Sequence, residues 1–160
     1  MTTSKLEVIA PASEPIIMTR RFIRASADMV FKAWTTPEYL KQWLGPRELV
    51  MVRCEIDLRV GGTYRFVHRA PDGQEYAFRG KYLEIEAPHR MVCTSVFEMM
   101  PQFEAIETLT LEEKDGRTLI TTHTRHGSIE ARDAHLSGGM EAGMTDGYER
   151  LEELAAKGIA

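Results

Sequence analysis

The sequence holds only two cysteines, Cys54 and Cys93, too few for a disulfide framework. Residues 1–10 show no basic stretch followed by an apolar run and a cleavage site, so no signal peptide is expected. No apolar run approaches the ~18 residues that a membrane span needs. Free thiols in a reducing cytoplasm are the expectation that follows. Basic charge is also scarce. The formal net charge is −4, and Arg20-Arg21 is the densest basic cluster, which argues against a nucleic-acid partner. Catalytic signatures are missing as well. There is no Gly-x-Ser-x-Gly, and neither cysteine has a histidine beside it. Gly61-Gly62 opens a strand and not a helix, so it is no phosphate cradle. His123 and His126 stand three apart on a strand and point to opposite faces, which precludes chelation of one ion. No catalytic residue, metal or cofactor is therefore expected.

What is present is patterned for one α+β domain. A flexible arm is expected over 1–15, where Pro11 and Pro15 break any regular pattern, and a single domain over 16–158. A first strand is read at Ile16 to Arg24. Ser26 then caps a short helix to Trp34, with Asp28 in its first turn. Thr36-Pro37-Glu38 starts a second short helix that ends by Gly45-Pro46. From Glu48 the pattern turns to period two. Val50, Val52, Cys54, Ile56 and Leu58 share one phase, and Tyr64, Phe66 and His68 share one after the Gly61-Gly62 turn. Asp72-Gly73 leads into Tyr76, Phe78, Gly80 and Tyr82. Further strands cover Arg90 to Glu98, Phe103 to Glu113 and, after Asp115-Gly116, Thr118 to His126. The chain closes in one long helix, capped by Ser128 and running to about Ala156, with Leu136, Met140, Met144, Tyr148 and Leu151 at helical spacing. A seven-stranded antiparallel sheet folded on this helix is the expectation.

At this point the sequence resembles a known family. The residues that carry the resemblance are Phe31-Lys32-Ala33-Trp34-Thr35, Pro37-Glu38-Tyr39-Leu40-Lys41-Gln42-Trp43, Gly45-Pro46 and Asp57-Leu58-Arg59-Val60-Gly61-Gly62. Gly80-Lys81-Tyr82, His123, Gly139-Met140-Glu141-Ala142-Gly143, Tyr148 and Arg150-Leu151 continue it. This set resembles the family of activator of heat shock protein 90 ATPase homologues. The resemblance implies the START-like (Bet v 1-like) helix-grip fold, in which a curved antiparallel sheet wraps the C-terminal helix around a cavity. The chaperone activator for which the family is named carries a separate N-terminal domain, which has no counterpart among these residues.

Two features suggest what the interior does. Gly139, Gly143 and Gly147 recur at i, i+4 and i+8, and each costs about 1 kcal/mol relative to alanine inside a helix. Either the sheet backbone approaches them closely, or they leave room for a ligand; the spacing allows both. Tyr64, Phe66, Tyr76, Phe78 and Tyr82 crowd one face, and three of these five rings carry hydroxyls that need partners when buried. Asp57 and Arg59 are read as stabilising their turn. The expected function is binding of a hydrophobic or amphipathic small molecule between sheet and helix, lined by Trp43, Tyr64, Phe66, His68, Tyr76, Phe78, Tyr82, His123, Met140, Gly143 and Met144. Trp34 and Trp43 also read as core. The alternatives are a cavity enzyme using an inward His68 or His123 as base, and a chaperone-linked interaction module.

Overall fold

A computed structural model describes residues 5–158. Eight strands form one sheet: β1 Glu7–Ile9, β2 Ile16–Ile23, β3 Val50–Ile56, β4 Thr63–Arg69, β5 Glu75–Glu86, β6 Arg90–Phe97, β7 Glu104–Lys114 and β8 Arg117–Arg125. Their order is β1-β2-β8-β7-β6-β5-β4-β3, and every neighbouring pair is antiparallel. Four helices accompany it: α1 Ala27–Thr35, α2 Pro37–Trp43, α3 Ile129–Ser137 and α4 Met140–Ala156. This is the helix-grip architecture, with two corrections to the sequence reading.

The first correction is the strand count, eight where seven were expected. Glu7–Ile9, in the segment read as an arm, pairs with β2, with Val8 opposite Thr19. Leu6 is buried in the core and Val8 packs against it, so apolar burial fixes a strand too short to show a period. Residues 1–4 of that arm lie outside the described residues. The second correction concerns the last helix, which is broken. Gly138 ends α3 and Gly139 stands before α4 with φ +88°, a left-handed backbone that favours glycine. Gly139 is thus the N-cap of α4 and not part of a glycine face inside one helix.

The short helices start where side chains satisfy their first amides. Ser26 Oγ accepts from Met29 N at 3.1 Å, and Glu113 Oε1 accepts from Ala27 N at 2.8 Å. Thr36 precedes α2 but its side chain makes no cap; Pro37 at the start removes one amide that would need a partner. Ser128 Oγ accepts from Ala131 N at 3.1 Å and starts α3. Register shifts between Met51 and Arg53 and between Tyr82 and Glu84 bend the sheet. The concave side carries Ile23, Leu109, Leu111 and Ile120, which share one core with Tyr148, Leu151 and Ala155 of α4.

α3 is fastened to the N-terminal segment. The buried Arg132 guanidinium donates to the carbonyls of Pro11, Glu14 and Ile16 at 2.7, 3.1 and 3.2 Å. His126 Nε2 meets His135 Nδ1 at 2.9 Å. No helix among the described residues is long and apolar enough to cross a membrane. Cys54 and Cys93 are free thiols.

Candidate functional site

Register decides which side chains face α4. Cys54, Phe66, Phe78 and Phe97 lie in one row across β3 to β6. Tyr82, Cys93, Glu107, Thr124 and Ile17 form a parallel row across β5 to β2. Both rows share the phase of Leu109 and Ile120, and therefore the concave face. The two rows differ in how tightly they are covered.

In the first row, Phe66 and Phe78 remain half-buried, as do Tyr76 beside them and Phe97 across from them. Phe78 stacks on Phe97 with ring centroids 4.9 Å apart, and Tyr76 tilts toward Phe97 at 6.3 Å. Met140 and Met144, on the first turns of α4, are also half-buried. Apolar surface of these rings and thioethers is thus left partly uncovered.

The second row holds a carboxyl that the sequence reading did not single out. Glu107 lies in the inward phase of β7 and is half-buried. Thr124 Oγ1 donates to Glu107 Oε2 at 3.3 Å, a long bond for the one hydroxyl that meets it. Burial pushes the Glu107 carboxyl above the ordinary carboxylate range, and the Thr124 hydroxyl opposes that only in part. Nearby, Thr19 and Thr122 share a 2.5 Å hydrogen bond between hydroxyls. The buried Tyr148 hydroxyl makes no hydrogen bond of good geometry; burial followed by the Glu107 charge raises its pKa, which Arg21 and the Thr19 hydroxyl oppose. Arg21, also buried, approaches Glu152 at 3.5 Å while its Nε stays without a partner. Cys93 is driven up to about 12 by burial and then by the Glu107 charge.

The remaining expected lining residues fall in different places. Trp43 is fully buried, donates from Nε1 to Ala33 O at 3.0 Å, and meets Trp34 and Tyr148 at ring distances of 4.8 and 6.2 Å. It is core and offers no surface to a ligand. Tyr64 and Tyr82 are buried on the concave face, and the Tyr64 hydroxyl donates to Thr94 O at 2.7 Å. Gly143 does not border a cavity: a Cβ there would touch the Pro46 ring at 3.4 Å. Gly147 backs onto Trp43 O at 3.0 Å in the same sense. Gly147 therefore serves close approach of the Trp43–Pro46 turn, while Gly143 meets Pro46 at ordinary contact distance and opens on no void.

The histidines part company. His68 is inward and buried beneath Gly45, with Nδ1 lacking a hydrogen bond. Burial, and then Arg150, depress its pKa, so it stays neutral. His123 pairs with Thr108 and Met18 in the outward phase and lies on the convex face. The expectation that both share the inner face is wrong, because the inward phase of β8 is taken by Thr118, Ile120, Thr122 and Thr124.

The sheet also bears a depression of about 700 Å³ whose walls include Glu55, Asp57, Arg65, Arg79, Lys81 and Glu104. Glu55, Arg65, Arg79, Val96 and Glu104 are one register row of the convex phase. Its charges are largely matched. Glu98 accepts from Arg65 at 2.8 and 3.0 Å and lies 3.7 Å from Arg79. This hollow is therefore charged and lies apart from α4. Among the described residues no group of three or more His, Cys, Asp and Glu could hold a metal ion.

Comparison with known proteins agrees with this architecture. A Rhodobacter sphaeroides protein of known structure matches with TM-score 0.88 and 27% identity, covering 96% of this chain and 99% of that one. One from Nitrosomonas europaea matches with TM-score 0.80 and 27% identity over 91% and 96% of the two chains. An AHSA1-like protein from Aeromonas hydrophila shares the fold at TM-score 0.71 and 20% identity, over 88% and 94%. A comparison with curated proteins found no match. The sequence model of the activator of Hsp90 ATPase homolog 1-like protein family matches residues 24–156, most of the chain, and the chain belongs to that family.

Proposed function

We propose that the chain binds an amphipathic small molecule between the concave sheet and α4, in the cytoplasm and without a cofactor. The apolar body lies against Phe66, Phe78, Phe97 and Met144. One observation carries this reading: inward aromatic rings that remain half-buried on the side of a sheet that a helix should seal. A finished core would bury them, because apolar area left in water forfeits about 25 cal/mol per Å². A ligand would recover that area. The family's fold supports ligand binding in general.

The test is native mass spectrometry of freshly purified protein together with thermal shift across a panel of lipids and polyketide-like aromatics. A stoichiometric adduct is expected, or a melting temperature that rises with ligand concentration, since ligand at a hundredfold Kd stabilises by about 2.7 kcal/mol. No adduct and no shift across the panel would overturn the reading.

Catalysis by an inward histidine draws no support from this geometry. His123 faces outward, and His68 sits under Gly45. An interaction with a chaperone rests on the family's description alone.

A further inference from the structure

We propose that the interior selects uncharged amphipathic molecules that end in a hydroxyl, in preference to carboxylates, with Glu107 as the acceptor that reads the hydroxyl proton. This deepens the small-molecule reading and rests on it. The argument is an inventory of polar atoms on the concave face. A carboxylate offers about four acceptor positions, and Glu107 has one long bond, from Thr124. Thr19 and Thr122 occupy each other. The Tyr148 hydroxyl is almost wholly buried and makes no hydrogen bond of good geometry. The charges of Glu107 on β7 and Arg21 on β2 act on it, and the Thr19 hydroxyl of β2 is its one side-chain hydrogen-bonding neighbour, so it faces the same part of the sheet. An acceptor with spare capacity and a hydroxyl without a well-formed bond thus belong to one inward-facing set, with Phe66, Phe78 and Phe97 as the half-buried apolar rings of the same face. Buried polar atoms left in this state are costly unless something else completes them.

Charge decides what that something is. The charge of Arg21 is balanced by Glu152 at 3.5 Å, although its Nε keeps no hydrogen bond, and Glu113 is engaged by the Ala27 amide. His68 is neutral. Glu107 is therefore the unmatched acid of the interior. A second carboxylate beside it would be buried against like charge. A hydroxyl instead donates to Glu107 and accepts from Tyr148, satisfying both.

The probes are 4-octylphenol, its methyl ether 4-octylanisole, and 4-octylbenzoate, which share an apolar body and differ at the polar end. Their Kd values are measured by calorimetry at mildly alkaline pH on the full chain and on Glu107→Gln and Glu107→Leu. The phenol should bind tenfold or more tighter than the anisole and the benzoate, the scale of one hydrogen bond to a charged group. Glu107→Leu should erase the phenol–anisole difference. Glu107→Gln keeps an acceptor and removes the charge, so it should keep that difference and narrow the phenol–benzoate gap. Should Glu107→Leu fail to fold, the near-isosteric Gln variant still decides. Benzoate binding as tightly as phenol to the unaltered chain would overturn the selectivity while leaving the small-molecule reading intact. So would an anisole as tight as the phenol, which would mean that water completes the polar atoms. Absence of binding by all three would overturn both.

Discussion

Phe78 stacks on Phe97 at 4.9 Å and meets His68 edge-on at 6.0 Å, yet it stays half-buried, whereas Leu151 of α4 is fully buried. The difference sets their worth. Leu151→Ala should cost about 2–5 kcal/mol in chemical denaturation, as core truncations do. Phe78→Ala should fall clearly below the ~3–5 kcal/mol of a buried phenylalanine and should weaken apolar ligand binding; a full core penalty with unchanged binding would contradict the site. Glu107 yields a second expectation at this scale. Its folded pKa lies above the unfolded value, so the folded chain holds that proton more tightly. The stability tied to it is present below the unfolded pKa of about 4.3 and is lost as pH rises through the folded pKa. Glu107→Gln should therefore raise the denaturation midpoint at neutral to alkaline pH and change it much less near pH 4. A variant destabilised equally at both pH values would contradict this. Glu107 was legible in the sequence, because it shares the alternating phase of Leu109 and Leu111 on β7. An acid in an inward phase is the signal that aromatic crowding on the neighbouring strands obscured.

At the scale of elements, α4 meets the turn after α2 through its glycines, and the two closest approaches differ. At Gly143 an added Cβ would make ordinary contact with the Pro46 ring at 3.4 Å. Gly143→Ala should thus gain up to about 1 kcal/mol from helix propensity. At Gly147 the same atom would stand 3.0 Å from Trp43 O, a backbone atom that cannot turn aside. Gly147→Ala should lose stability despite the same propensity term. Opposite signs in the two melting temperatures are the expected result, and a gain in both would mean that the turn yields. Gly143→Leu, which a cavity would have welcomed, should destabilise by overpacking against Pro46, by about 1–3 kcal/mol. The two ends of these elements also show where periodicity fails. Leu136, Met140 and Met144 keep helical spacing straight through the break at Gly138-Gly139, so spacing alone hides it. On β8 the inward phase carries threonines and the outward phase His123, and two polar phases give alternation nothing to orient.

The whole molecule was the most legible level, because seven period-two segments, two short helices with clear start signals and an amphipathic C-terminus admit few packings. The polar part of the site was the least legible. Arg21, Glu107 and Tyr148 come from β2, β7 and α4, and only the register and the seating of the helix bring them together. The central claim is that a ligand enters between sheet and α4. Methionine methyl groups report on it, since Met144 is half-buried on α4 and packs against the core, while Met18 faces the convex side opposite His123 and Met99 is exposed. The deciding measurement is a titration of 13C-methyl-methionine-labelled protein with 4-octylphenol, followed by NMR, with Met144→Leu to assign the key resonance. The account predicts a saturable shift of the Met144 methyl while Met18 and Met99 stay in place. Saturation that moves Met18 or Met99 and leaves Met144 unchanged would contradict it.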